Sequence, residues 1–439
     1  MAFQAPTPVI NAEAPLSVNS VSILGTSITR KSFLNNITSG VFKPQTTADL
    51  FNVTKDIAAR LDQHDIFEEI QVFLDTNKQN KDTVDVTIQL KEKPRGLIQT
   101  GVGLGNNEFY SNGGFVLRNL FGGAESLSTS FAFGNRTKQA VEASFTTPLN
   151  GSPYTNLSVF VNNSIHDYSL INAYKEEGQT AGLKFKTRSD YGGHELSYAC
   201  TKRDITGLPQ ASGTVRSQSG QNNKSSVYHS FVHDTRDHVT LPTKGRYIGL
   251  FQEFAGVATK GDVQFIKHEL VGQCLHTLQE SKQGTEDAFR LSLSIGGKAG
   301  YLTSLDNKEI NLSDRFYLGG PLSVRGFKSG GIGARDGNDS VGGNAYWALG
   351  ASLISTIPGS AHLPIKLHAF ANAGNLSQQQ NNEKTLQDLI RDPRVSVGAG
   401  VIFHHEFARV EANFCVPLQS RPGDIIEEGI QFGFGINFL

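Results

Sequence analysis

The chain has 439 residues, with 40 Lys and Arg against 41 Asp and Glu, a net charge of −1, 38% hydrophobic residues and 46 Gly; its mean hydropathy is −0.27. No stretch approaches the roughly 18–20 consecutive apolar residues of a membrane-spanning helix, and no long basic run offers a footprint for nucleic acid. Gly at about one residue in ten, above the usual roughly 7%, with a single Met and a single Trp, suits strands and turns better than helical cores.

Residues 1–15 read as a flexible N-terminal segment. They hold Glu13 and three prolines without an apolar stretch, so they lack the pattern of a secretory signal, and they lack the Arg-rich amphipathic character of a transit peptide. Residues 16–95 read as α/β. Val21, Ile23 and Leu24 suggest a short strand, and Thr29 is placed to cap a helix with Phe33, Leu34 and Ile37 on one face. After Thr46 and Thr47, Leu50, Val53, Ile57 and Leu61 form the buried stripe of a second helix. Ile70, Val72 and Leu74 alternate with Gln71 and Phe73, and Val84, Val86, Ile88 and Leu90 alternate with Asp85, Thr87 and Gln89, as two strands. The order β-α-α-β-β makes a small α/β domain, bounded by the charged joint Lys91–Gly96 with its Pro94.

From Gly96 to Leu439 the helical period almost disappears. Phe289, Leu291, Leu293 and Ile295 alternate with polar or small residues, as do Ala408, Val410, Ala412 and Phe414, and Ile430, Phe432, Phe434, Ile436 and Phe438. Alternation alone fits a soluble sandwich as well as a barrel. Three features favour a barrel in a membrane. About 344 residues of consecutive strands exceed one sandwich, yet at ~21 residues per strand and connection they give about sixteen spans of roughly 9–11 residues. The alternate positions are rich in Gly, Ser, Thr and Asn, as a wet or plugged lumen requires. The chain also ends on a strand with an aromatic penultimate residue, and a closed barrel needs its last strand to meet its first. The expected fold is an α/β domain followed by a 16-stranded antiparallel transmembrane β-barrel over 96–439, with an inward-folded loop at about 302–341.

Cys200, Cys274 and Cys415 lie far apart and form no CxxC pair, which argues against a disulfide framework and against a zinc site. The Gly- and Arg-rich run Asp314–Asp336 contains no GxxxxGK[ST], so a phosphate cradle is not supported. No GxSxG elbow, HExxH or spaced carboxylate pair occurs, and His404-His405-Glu406 reads as a turn. No catalytic residue, cofactor or metal is therefore expected, and the chain is not expected to be an enzyme.

Four motifs follow one another along the chain: the β-α-α-β-β unit, Asn119-Leu120-Phe121-Gly122-Gly123-Ala124-Glu125, Asp234-Thr235-Arg236-Asp237 with Pro242-Thr243-Lys244-Gly245, and Gly319-Gly320-Pro321 followed by Val324-Arg325-Gly326-Phe327. In this order they resemble the BamA-type outer-membrane insertase superfamily over nearly the whole chain, and most closely its mitochondrial branch, the central barrel subunit of the sorting and assembly machinery. The resemblance implies that residues 16–95 are a single polypeptide-transport-associated (POTRA) domain. It also implies that Val324, Arg325, Gly326 and Phe327 lie in the sixth outward loop, folded back into the lumen. Phe370, Asn372 and Gly374 occupy a strand motif that in many relatives reads Phe-x-Asp-x-Gly, its acid pairing with the loop Arg. Here Asn372 supplies no counter-charge. Either another acid such as Glu411 neutralises Arg325, or the contact is weaker and the loop more mobile; Arg325 either pins the loop as a plug or takes part in gating.

The last strand has a second reading. Gln431, Gly433, Ile436 and Phe438 fit the mitochondrial β-signal, polar-x-Gly-x-x-apolar-x-apolar, as well as an ordinary closing strand. Gly101, Gly103 and Gly105 in the first strand, and Gly429, Gly433 and Gly435 in the last, weaken strands and permit bending. They mark a lateral seam to which a precursor strand could add by β-augmentation, without nucleotide hydrolysis. The resemblance implies an insertase for β-barrel precursors in the mitochondrial outer membrane, with the POTRA domain in the intermembrane space. Its implied partners are the lipid bilayer, peripheral metaxin-like subunits, intermembrane-space chaperones and the cristae-organising complex. The alternative is a polypeptide-translocating or metabolite pore of an outer membrane.

Overall fold

The computed structural model describes residues 13, 15–76, 83–105, 108–257, 261–281, 289–357, 363–378, 387–404, 409–435 and 438–439, and for 103–105 the backbone alone. Most of segment 1–15, His405, Glu406 and Ile436 lie outside the described residues. No helix among the described residues is long and apolar enough to cross a membrane. The chain forms two compact units: 1–99 with 115–129 and 144–158, and the remainder.

In the first unit, β1 (Ser17–Leu24) runs parallel to β3 (Thr83–Glu92), which pairs antiparallel with β2 (Phe67–Thr76), in the order β1-β3-β2. Helices α1 (Lys31–Thr38) and α2 (Thr47–Gln63) connect β1 to β2. Their buried stripes, Phe33, Leu34 and Ile37 with Leu50, Ile57 and Leu61, pack on Val84, Val86, Ile88 and Leu90 of β3. Helix α2 begins at Thr46, whose side chain accepts a hydrogen bond from the Asp49 N–H at 3.2 Å, satisfying a donor that the helix itself leaves open.

Thr29 does not cap α1. Arg30 holds the N-cap position without a side-chain bond, and the Thr29 hydroxyl donates to Glu92 at 2.6 Å while accepting from Asn119 Nδ2 at 2.8 Å. Glu92 proves to be a tie between the end of β3 and the turn before α1, because it also accepts the Ser27 and Thr29 N–H groups at 3.0 and 2.8 Å. Partial burial would raise its carboxyl pKa, but the donors from Thr29 and Ser27 outweigh that and hold it at about 2.

The large sheet has 16 strands. In chain order these are β4 (Gly96–Gly105), β5 (Glu108–Arg118), β6 (Ser126–Gly134), β7 (Thr137–Pro148), β8 (Thr155–Asp167), β9 (Tyr174–Ser189), β10 (Gly192–Gly207), β11 (Gly220–Asp234), β12 (Gly245–Ala255), β13 (Phe265–Glu280) and β14 (Arg290–Ser304). Past a small hairpin of β15 (Arg335–Asp336) and β16 (Asp339–Ser340) come β17 (Ala345–Thr356), β18 (Ile365–Ser377), β19 (Arg394–His404), β20 (Arg409–Gln419) and β21 (Gly429–Gly435). Each barrel strand neighbours the next in sequence, so β4 and β21 stand at the two ends of the order.

The period of two sorts the faces. Leu349, Leu353, Leu367, Phe414, Ile430 and Phe432 are exposed on the outer wall, while His368, Asn372, Arg409, Glu411, Asn413 and Gln431 are buried inside. Only alternate residues need be apolar, which reconciles sixteen spans with a negative mean hydropathy. Inside, the connection between Ser304 and Ala345 builds its own core: Leu318, Val324, Phe327 and Ile332 pack with Phe265, Tyr346 and Leu376.

One aromatic of the closing segment departs from its alternation. Among the described residues the β20–β21 ladder reaches Gly435, opposite Arg409, and Phe438 is buried in the lumen at 6% exposure instead of facing lipid. Its ring lies 4.6 Å from the Arg409 guanidinium and 5.7 Å from that of Arg325. Attraction between cation and ring in a dry interior thus takes an aromatic that periodicity alone would place outside.

Candidate functional site

The loop reaches the far strands through a tight turn in which the Ser323 N–H donates to the Gly320 carbonyl at 3.0 Å and the Gly320 N–H to that of Val324 at 3.2 Å. Arg325 follows at the tip, fully buried. Gly326 has φ of +82°, and a Cβ there would stand 3.4 Å from that of Ser396 and 3.5 Å from that of Cys415. Glycine therefore supplies the left-handed backbone, while a Cβ would make only ordinary contact with β19 and β20.

Around Arg325 the strands supply a polar cage. Its Nη2 and Nε both donate to Glu411 Oε2, at 3.0 and 3.2 Å, and its Nη1 donates to Asn372 Oδ1 at 3.1 Å and to the Leu439 carbonyl at 3.2 Å. The guanidinium also lies 4.7 Å from the Phe370 ring. Glu411 is shared: Arg409 pairs with its Oε1, and Asn413 Nδ2 donates to its Oε2 at 2.7 Å. Asn413 in turn accepts from His368 Nε2 at 2.6 Å, which assigns the proton to that nitrogen. Glu411 thus provides the counter-charge that Asn372 cannot, and two guanidinium groups depend on one carboxylate in a site shut off from water.

The loop is also bound to the last strand. Gln431 accepts the Gly326 N–H at 3.2 Å and donates through Nε2 to the Phe327 carbonyl at 2.9 Å and to Glu427 at 2.7 Å. Gly433, beside it, faces Pro321: a Cβ there would fall 2.8 Å from the proline Cβ. Its lack of a side chain serves loop packing. Gly429 opens β21 with φ of +96° and nothing within 4 Å of a Cβ, and Gly435 is the last described residue of that strand. Gly101, Gly103 and Gly105 all lie in β4, and a Cβ on Gly101 would meet Asn112 Oδ1 at 2.9 Å.

The structure therefore brings Arg325, Phe370, Asn372, Gln431 and Phe438 to one place. Val324 and Phe327 enter the apolar core on either side, and Gly374 lies against that core, 2.9 Å from Val324 Cγ2 were it to carry a Cβ. The sequence reading missed Arg409, His368 and Asn413. One signal could have found two of them: Arg409, Glu411 and Asn413 recur at every second position, a polar row on one face of a strand whose other face is apolar. The arrangement is a buried, charge-assisted lock holding a loop tip to the strands at one end of the sheet.

The Omp85 superfamily domain matches residues 119–438. A SAM50-like protein of Schizosaccharomyces pombe is 35% identical over 98% of this chain and 92% of its own. The sorting and assembly machinery component 50 homolog of Homo sapiens is 33% identical, over 91% of this chain and 85% of its own. Among solved structures, BamA from Haemophilus ducreyi lacking POTRA domains 1–3 superposes with a TM-score of 0.76 at 18% identity, covering 95% of this chain and 84% of that one.

Proposed function

Since the chain belongs to the Omp85 superfamily, and its likeness to sorting and assembly machinery component 50 proteins runs over nearly its whole length, we propose that it folds and inserts β-barrel precursors into the mitochondrial outer membrane. In this reading the N-terminal domain faces the intermembrane space, and the precursors, peripheral metaxin-like subunits, intermembrane-space chaperones and the cristae-organising complex are its partners. The observation that carries the mechanism is the connection of the lumen loop to the last strand through Gln431. A precursor strand adds to the edge of β4 and exchanges main-chain hydrogen bonds with it. As β21 gives way, the Gln431 bonds and the Arg325 lock are released together, and they re-form when the finished barrel departs. Every step trades one hydrogen bond for another, so no nucleotide is called for.

The loop core of Leu318, Val324, Phe327 and Ile332 occupies lumen space, which favours this reading over a metabolite pore. Cysteines placed in Gly96–Gly105 and Gly429–Gly435 and crosslinked should stop assembly of imported precursors, with reduction restoring it. Assembly at the normal rate in the crosslinked protein would show the seam mechanism to be wrong.

A further inference from the structure

The loop that carries Arg325 begins at a second buried ion cluster, which the strand exchange above does not use. Asp314, 4% exposed, lies in the short turn Leu312–Asp314. Its Oδ2 accepts Arg203 Nη2 at 2.8 Å, its Oδ1 accepts Arg203 Nη1 and Lys224 Nζ at 3.0 Å each, and its main-chain oxygen accepts Lys267 Nζ at 2.8 Å. Arg203 also donates to Ser313 Oγ at 2.9 Å, and Lys224 pairs with Glu253 at 2.9 Å. These partners stand on β10 to β13, in the middle of the strand order. Those of Arg325 are Asn372 on β18, Glu411 on β20 and the terminal Leu439. The two sets have no residue in common.

We propose that Asp314 is a second anchor of the lumen loop, a positioning residue that holds the first turn of the loop to the β10–β13 wall independently of the Arg325 lock, so that the loop stays seated when its tip releases. Without its charge, Arg203, Lys224 and Lys267 lose the acid they share, with Glu253 still paired to Lys224, and a buried ion network missing one partner is strongly destabilised. Groups with no shared partner act close to additively, so the two anchors should loosen separately. The effect expected on precursor assembly rests on the insertase reading; the effect on the loop does not.

The test is hydrogen exchange of the full-length barrel in lipid nanodiscs, read in peptides covering 310–318 and 322–328. Asp314→Asn should speed exchange in 310–318 about tenfold and leave 322–328 within about twofold of the parent; Arg325→Ala should do the reverse. Asp314→Glu, which restores the charge, should recover most of the protection. In parallel, Asp314→Asn should slow precursor assembly several-fold, and the double variant should show the product of the single effects. Loosening of both peptides by either single variant, unchanged exchange in 310–318, or no recovery with Glu would overturn the proposal. Unchanged assembly with the expected exchange pattern would instead count against the insertase reading. Should Asp314→Asn fail to fold, judged by heat-dependent gel mobility, Lys267→Met leaves the Asp314 carboxylate pairs in place and removes the contact to the main-chain oxygen together with the ammonium 4.5 Å from the Phe316 ring; it should raise exchange in 310–318 alone, and no rise would equally overturn the anchor.

Discussion

Arg325 and Arg409 share the carboxylate of Glu411, and the nearest neutral acceptor is Asn372, 3.1 Å from Arg325 Nη1. Among the described residues, Glu411 is the side-chain acid that both guanidinium groups touch. Removing the acid should therefore be severe: Glu411→Gln leaves two guanidinium groups uncompensated and is expected to cost about 3–5 kcal/mol, read as a lowered urea midpoint of the full-length protein. Adding an acid should have the opposite sign. Asn372→Asp places a second carboxylate against Arg325 and should slow hydrogen exchange at 322–328 relative to the parent. Faster exchange would mean that burying the new carboxylate outweighs its attraction to Arg325.

Among the elements, the N-terminal α/β unit carries the clearest pH dependence. Glu92 is held at about 2 by its bonds to Thr29 and Ser27, against roughly 4.3 for an unperturbed Glu. A carboxyl depressed in the folded state contributes stability that is fully present above the unfolded value and is lost as pH falls from about 4 towards 2. Exchange protection of β1 and α1 should therefore drop across that window. In Glu92→Gln the drop should be smaller and the protection at pH 7 already reduced. A parent and variant with the same acid profile would remove Glu92 from the account. The element also shows why Thr29 does not cap its helix: a Thr before an apolar stripe is a local capping signal, but a half-buried carboxylate and an amide offer better partners.

Across the whole molecule, the lumen loop decides whether the barrel behaves as a channel. Phe327 is fully buried in the lumen core, and truncating such a ring costs about 3–5 kcal/mol. Phe327→Ala should loosen the loop and raise the ionic conductance of the protein reconstituted in planar bilayers above that of the parent. Equal conductance in both would mean that the loop core does not limit passage, and would return weight to the pore alternative.

The sequence by itself determined what depends on local periodicity: the β-α-α-β-β order of the N-terminal unit, the sixteen spans, and the outward face of Ile295, Phe414, Ile430 and Phe432. A strand turns successive side chains to opposite faces whatever its neighbours are, so Ile430 and Phe432 announce their face without any tertiary information. Tertiary structure alone decided the partners. Arg325 meets Glu411 across 86 positions and Thr29 meets Asn119 across 90, and no local pattern encodes a contact between segments that far apart. Phe438 shows the limit most plainly. Its alternation with Phe434 marks it for the outer wall, yet two buried guanidinium groups, assembled only when the loop and β20 come together, draw it inside.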